Sequence, residues 1–440
     1  MSDLLITTLL IVTLFLILGS GVWIGLSLSG VAWVGMQLFS SRPAGDAMAV
    51  TIWGSSSSWT LTALPLFIWM GEILFRTRLS QDMFHGLAPW LQSLPGRLLH
   101  TNVAGCTIFA AVSGSSAATC ATIGKMTLPE LSRRGYPDHM VIGTLAGAGT
   151  LGLLIPPSII MIVYGVTADV SIARLFIAGV LPGLMLAAMF SSYIAYWSLR
   201  HPDQIPAAER RYSLIEKIRE SRSLIPVVLL IAAVLGSIYS GVATATEAAG
   251  VGVVGSLILS AVQGTLSWQS FREALMGATR LYCMIALILA GAAFLTLSMG
   301  YIGLPRHLAE WIAELGLSQF QLIIALTVFY VILGCFLDGI SMVVLTMGVI
   351  LPTVTKAGID PLWFGIFIVL VVEMAQITPP VGFNLFVLQG MTGRQLGWFA
   401  RATLPMFWVM VDPTGSSPFP CSLGRPVRPR WRGSAVLSLV

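Results

Sequence analysis

Four carboxylates stand in stretches that otherwise carry almost no charge: Glu72, Glu247, Asp338 and Glu373. Between Arg222 and Arg272 the only charged residue is Glu247, and between Glu314 and Lys356 the only one is Asp338. A carboxylate in an apolar span costs about 2.5–3.5 kcal/mol on insertion scales. It is kept where it meets a cation, or where backbone N–H groups satisfy it as a cap or scaffold. Asp338 lies in Leu337-Asp-Gly-Ile-Ser-Met342, and Glu373 lies six residues before Pro379. That placement favours a role for both at or near an ion site. Glu247, in Thr244-Ala-Thr-Glu-Ala-Ala-Gly250, and Glu72, close to Arg76, favour the structural role.

The elements that would position these groups are interrupted helices. Pro-Pro occurs only at Pro156-Pro157 and Pro379-Pro380, each deep in an apolar segment. Proline removes a donor and clashes with the preceding turn, so two in a row break a helix. Pro129 lies 27 residues before Pro156, and Pro352 lies 27 before Pro379. At this offset of 223, Leu128-Pro129 aligns with Leu351-Pro352, Arg133 with Lys356 and Gly135 with Gly358. Upstream of each Leu-Pro is a small-residue segment, Ser113-Gly-Ser-Ser-Ala-Ala-Thr119 and Leu337–Met342, midway along an apolar stretch. Two re-entrant hairpins would give this pattern; a single helix with a Ser/Gly packing face is the alternative. Paired hairpin tips and paired helix breaks are the pattern of a transporter, in which unwound carbonyls hold a cation near the midplane.

Composition agrees. Hydrophobic residues make up 56% of the 440 and charged residues 10%, with a net charge of +5. A soluble domain carries about 25% charge, so an ordinary soluble enzyme, a disordered chain and a nucleic-acid binder are excluded. Met1–Phe39 has no basic residue, so it reads as retained membrane structure rather than a signal peptide. It is too long for one straight span, with breaks expected at Gly19–Gly21 or Ser29-Gly30. Further apolar segments fall at 59–75, 97–127, 139–167, 174–199, 224–240, 243–263, 281–303, 319–337, 338–355, 362–390 and 396–411. Six basic residues between Arg200 and Arg222 mark a cytoplasmic connection. Within it Ser213–Glu220 reads as a surface helix, and Arg306–Leu315 reads as a second amphipathic piece. Lys125 and Arg134 are expected to mark the return of the first hairpin to water. The cysteines (Cys106, Cys120, Cys283, Cys335, Cys421) are scattered; the first four read as small buried hydrophobes, without a disulfide framework or zinc site.

The expected fold is an all-α polytopic membrane protein of about 10–12 membrane segments, with two hairpins and two broken helices in an internal repeat read as inverted. Its parts are N-terminal scaffold helices (1–75), a first repeat half (76–170) with hairpin 97–127 and broken helix 139–167, and scaffold helices (171–272) around the connection 200–223. A second half (273–395) holds hairpin 319–355 and broken helix 362–390. A short apolar segment (396–411) and a Pro/Arg-rich tail (412–440), expected to be disordered, end the chain.

Ala111–Gly124 and Gly149-Thr-Leu-Gly-Leu-Leu-Ile-Pro-Pro-Ser158 resemble the large membrane subunit of TRAP (tripartite ATP-independent periplasmic) transporters. Phe336-Leu-Asp338, Gly358-Ile-Asp-Pro361, Thr378-Pro-Pro-Val-Gly-Phe-Asn384 and Thr246-Glu-Ala-Ala249 resemble its remaining motifs, over roughly Met1–Met410. The resemblance implies an elevator-type secondary transporter that imports an organic acid, such as a C4-dicarboxylate or sugar acid, on a Na⁺ gradient. It is implied to sit in the bacterial inner membrane as a multi-pass subunit, not an enzyme, with no cofactor beyond the coupling Na⁺. Partners implied are a small membrane subunit and a periplasmic binding protein, and no nucleic acid. One Na⁺ site is implied at Ser113, Gly114, Ser115, Ser116, Gly149, Thr150 and Gly152. A second is implied at Asp338, Gly339, Ser341, Gln376, Thr378 and Pro379. Substrate would lie near Ser115, Ser158 and Asn384, with helix breaks at Pro156, Pro157, Pro379 and Pro380. The family often has Pro where Gly339 stands.

Two other readings are weighed. One is a stand-alone ion-coupled exchanger without a binding protein. The other is an intramembrane hydrolase using Ser115 or Ser116 with His100 or His139; it lacks G-x-S-x-G. No Walker-type loop for a nucleotide-driven pump is present. The run Leu396–Val411 is 16 residues, about 24 Å, which is short for a span. With the Arg-rich tail that follows, this leads to the expectation of a reading-frame shift near residues 408–412.

Overall fold

The computed structural model describes residues 3–207, 212–314, 317–334, 337–379 and 382–415, and among them every regular element is a helix. The first apolar run divides into α1 (Asp3–Gly19) and α2 (Ile24–Phe39). The division falls at Gly21, which takes φ +82°, the earlier of the two expected breaks. α3 (Ala44–Ser56) and α4 (Ala63–Phe75) follow, and the chain bends by 56° between 44–56 and 59–75. The expected segment began only at 59. The signal for the bend is the run Ser55–Ser58: Ser55 and Ser57 donate to the carbonyls of Ile52 and Gly54, and such local bonds compete with the helix ladder.

After α5 (Leu79–Leu91) comes the first hairpin, α6 (His100–Ser113) and α7 (Ser116–Arg133). Its ends meet: the Leu98 N–H bonds the Tyr136 hydroxyl at 3.3 Å. The return arm runs to Arg133, beyond the expected end at 127, and carries Pro129 within it. Lys125 is exposed part-way along this arm. Its Nζ lies 4.3 Å from the Phe75 ring centroid, and the arm ends where Arg134 pairs with Glu130 at 2.7 Å. The broken helix is α8 (Asp138–Gly149), a short α9 (Leu151–Leu154) and α10 (Ile159–Thr167), bent by 40°. Residues 155–158 between them are not helical, and the Pro156–Pro157 bond is cis.

The middle of the chain forms α11 (Ile172–Arg200), α12 (Leu214–Ser221), α13 (Ile225–Tyr239) and α14 (Ala245–Val262). α12 is the expected surface helix, started by a capping box of Ser213 and Glu216. α15 (Trp268–Ile302) has 35 residues. The expected segment began at 281; the helix starts earlier because Ser267 caps it, accepting from the Ser270 N–H at 3.0 Å. Arg272, Glu273 and Arg280 thus lie inside a helix. Cys283 on α15 is exposed, unlike buried Cys106 and Cys120, which corrects its expected burial. Cys335 and Cys421 lie outside the described residues.

α16 (Leu304–Glu314) precedes the second hairpin, α17 (Gln319–Leu333) and α18 (Gly339–Lys356). Its ends also meet: Gln319 donates to the Ala357 carbonyl at 2.9 Å, and Tyr330 and Thr346 join the arms at 2.7 Å. α19 (Pro361–Gln376) and α20 (Phe383–Thr392) flank the second break, and α21 (Leu396–Gly415) follows. α21 continues past Val411, where the apolar run ends; the expected tail beyond Gly415 and Pro380 lie outside the described residues.

Small residues set the closest packings, as between membrane helices. A Cβ on Gly291 would lie 2.2 Å from the Gly25 carbonyl oxygen, and one on Gly143 would lie 2.3 Å from that of Ala402, so α15 meets α2 and α8 meets α21 backbone to backbone. By length and composition, five helical stretches among the described residues could cross a membrane, or seven if each bent pair is one span; shorter apolar helices accompany them.

Candidate functional site

The first tip is built by Gly114 and Ser115. Gly114 takes φ +61° and ends α6; Ser115 is extended and caps α7, accepting from the Ala118 N–H. The tip lies directly on the first helix break. The Ile159 N–H donates to the Gly114 carbonyl at 3.2 Å. A Cβ on Gly114 would stand 2.9 Å from the Pro157 oxygen, and one on Gly152 would stand 2.6 Å from the Ser115 oxygen. Only glycine permits these approaches. Buried Ser158 bridges the break: its hydroxyl donates to the Leu153 carbonyl at 2.5 Å and accepts from the Met161 N–H at 3.3 Å. Ser113 and Thr119 pair their hydroxyls at 2.7 Å inside the tip.

The second tip ends in Asp338, the N-cap of α18. Its carboxylate accepts from the N–H groups of Ile340 and Ser341, at 3.1 and 3.2 Å, and from the Ser341 hydroxyl. That is the capping role set out as the alternative for a carboxylate at this point. Gly339 abuts α19: a Cβ there would lie 2.5 Å from Val372 Cγ1 and 3.3 Å from Gln376 Nε2. At the second break the carbonyl oxygens of Gln376 and Thr378 both come within 2.9 Å of a Cβ built on Gly382. The Thr378 hydroxyl donates to the Met374 carbonyl at 2.7 Å.

The expected residues thus fall in two groups: tip one lies on break one, and Gly339 of tip two lies against Gln376 at the end of α19. The link between the groups is Glu373. It is wholly buried, and its Oε1 accepts from the Ser116 hydroxyl at 2.5 Å, while the Thr150 carbonyl oxygen lies 3.3 Å from the same hydroxyl. Glu373 follows Val372, which touches Gly339, so one turn of α19 contacts both tips. Asn384 is also wholly buried and lies beside the first break; its Nδ2 is 3.5 Å from a Cβ built on Gly149. Nothing in the sequence pattern signals that Glu373 and Asn384 of the second half meet Ser116 and Gly149 of the first.

Among the described residues no three His, Cys, Asp or Glu side chains cluster as a metal site. What converges is hydroxyls, carbonyls and one carboxylate, an oxygen set suited to a hard cation. The serine–histidine pairing of the hydrolase reading is absent. His100 Nε2 bonds the Pro95 carbonyl at 2.7 Å, the His139 ring packs on Trp197, and the Ser116 hydroxyl meets a carboxylate. The remaining carboxylates are structural in placement: Glu247 completes a capping box with Thr244, and Glu72 pairs with Arg76 at 2.5 Å.

Residues 9–413 match the family described as tripartite ATP-independent periplasmic transporter, DctM component. The chain is 33% identical over 387 residues to the C4-dicarboxylate TRAP transporter large permease protein DctM of Pseudomonas aeruginosa, covering 88% of this chain and 89% of that one. It is 31% identical over 402 residues to the isethionate TRAP transporter permease protein DctMQ of Oleidesulfovibrio alaskensis, covering 90% of this chain and 62% of that one. In fold it is similar to the crystal structure of the YdaH transporter of Alcanivorax borkumensis, with a TM-score of 0.64 at 12% identity over 89% of this chain and 95% of that one.

Proposed function

The chain belongs to the DctM family of TRAP transporter large permeases, and from that membership we propose that it is the Na⁺-coupled subunit that carries an organic acid across the inner membrane. The substrate is a carboxylate, such as a C4-dicarboxylate or a sugar acid, received from a periplasmic binding protein. A small membrane subunit completes the assembly. The observation that carries this reading is the docking of each glycine-bearing tip on a helix break, where carbonyl oxygens are freed from helical bonding.

In this reading one Na⁺ lies among Ser113, Gly114, Ser115, Ser116, Gly149, Thr150 and Gly152. The other lies among Asp338, Gly339, Ser341, Gln376, Thr378 and Pro379. Substrate lies near Ser115, Ser158 and Asn384. Ser158 would act through the backbone it holds, since its hydroxyl already bridges Leu153 and Met161. The return arms α7 and α18 are both 18 residues long, begin 223 positions apart and are capped by Ser115 and Asp338. This supports a repeat of two halves, which in this reading are inverted and move together as an elevator against the scaffold helices of 1–75 and 171–272.

The test is uptake into proteoliposomes holding the permease with its small subunit, with the binding protein and candidate labelled acids outside. An inward Na⁺ gradient should drive accumulation, and replacing Na⁺ with choline should abolish it. Equal uptake in both, for an acid that the binding protein holds, would sink the coupling.

A further inference from the structure

We propose that Glu373, carried by the second half, supplies the negative charge of the cation site that the first tip forms with the first break. The inference rests on the Na⁺-coupled reading above and adds a ligand that crosses between the halves.

Glu373 is wholly enclosed. Its Oε1 accepts from the Ser116 hydroxyl, the Leu153 backbone N–H faces the same carboxyl group, and its Oε2 has no partner at hydrogen-bond geometry. No lysine, arginine or histidine pairs with it among the described residues. An ionised carboxylate buried with so few donors is costly, and it stays charged only where a cation compensates it. A second buried side chain points to the same place. Asn384 leaves both Oδ1 and Nδ2 unpartnered beside Gly149, next in sequence to Thr150, whose carbonyl shares the Ser116 hydroxyl with Glu373. Oxygen atoms without partners therefore come from the second half to the junction of α8 and α9 in the first.

The packing limits what can sit there. A Cβ on Gly149 would already lie 2.9 Å from Cys120 Cβ, and one on Gly152 lies 2.6 Å from the Ser115 oxygen. Walls this close leave no room for an organic acid. An ion drawing on Glu373 would also hold the α19 turn that touches Gly339. Occupancy of the first site would then order the second tip.

The experiment measures ²²Na⁺ bound per chain, and melting temperature in sodium and in choline, for the purified permease with its small subunit. Glu373→Gln keeps the shape and the acceptor for Ser116 but removes the charge. It should bind one Na⁺ fewer per chain than wild type at sodium levels that saturate wild type, with a melting temperature in choline no lower than wild type. Wild-type stoichiometry in Glu373→Gln overturns the proposal, as does a lost ion accompanied by a fall of the melting temperature in choline, which marks a scaffold residue. Should Glu373→Gln fail to insert, Glu373→Asp decides: it keeps the charge but draws it back by one methylene, so Na⁺ binding weaker by about tenfold, or about 1.4 kcal/mol, is expected, and unchanged binding overturns the proposal. Absence of Na⁺ binding in wild type would instead refute the coupled reading itself.

Discussion

Ser116 and Glu373 are 257 residues apart in the chain, and their Oγ and Oε1 atoms lie 2.5 Å apart. One belongs to the first hairpin tip and the other to the helix that ends at the second break. Through them the two halves are joined at the candidate site rather than merely packed side by side.

The first tip tolerates no side chain at Gly114. Its φ of +61° costs an L-residue about 1–2 kcal/mol, and a Cβ would strike the Pro157 oxygen at 2.9 Å. Gly114→Ala should lower the melting temperature and reduce uptake several-fold, while the protein still reaches the membrane. Wild-type uptake in proteoliposomes would show that the tip can shift.

The second tip separates capping from ion binding. Asparagine caps a helix about as well as aspartate, so Asp338→Asn should leave the melting temperature unchanged, whereas Asp338→Ala should lower stability by about 1 kcal/mol. If Asp338 also faces the second Na⁺, the Asn variant needs more Na⁺ for half-maximal uptake. Thr378→Val removes the hydroxyl bonded to Met374 and should raise the same requirement. Unchanged Na⁺ dependence in both would remove these residues from the site.

The α2–α15 contact rests on small residues. Gly291→Leu would force a side chain into the Gly25 carbonyl, already 2.2 Å from the Cβ position. Overpacking of this kind costs about 1–3 kcal/mol, read as a lower melting temperature of the purified protein. A change under about 0.5 kcal/mol would mean that α2 can move away freely.

Asn102 ties the hairpin to the broken helix. Buried on α6, it donates to the Val141 carbonyl at 3.0 Å and the Thr144 hydroxyl at 2.9 Å on α8. Asn102→Ala should destabilise by about 1–3 kcal/mol, measured by thermal unfolding in detergent. Uptake per folded molecule should fall less than total uptake, because Asn102 lies outside both tips.

Much of this arrangement is local and therefore legible in the chain. Pro-Pro breaks a helix wherever it stands, so the first break at Pro156-Pro157 follows from residue type, as does the turn at Ser113–Ser116. The capping boxes of Ser213 and Thr244 are likewise short-range patterns. The bend between α3 and α4 and the early start of α15 are less legible, because serine hydroxyls decide them within otherwise apolar sequence.

Hydropathy, proline and glycine act within a few residues, and they are enough to specify a helical membrane protein with tips and breaks at matched spacing. Which polar groups meet is set by the packing of distant helices. That Asp338 spends its carboxylate on its own helix, that Glu373 reaches Ser116, and that Asn384 lies beside Gly149 depend on how distant helices pack. Close approach of two backbones at glycine, and the burial of a charge between them, are properties of pairs that no single stretch of chain encodes.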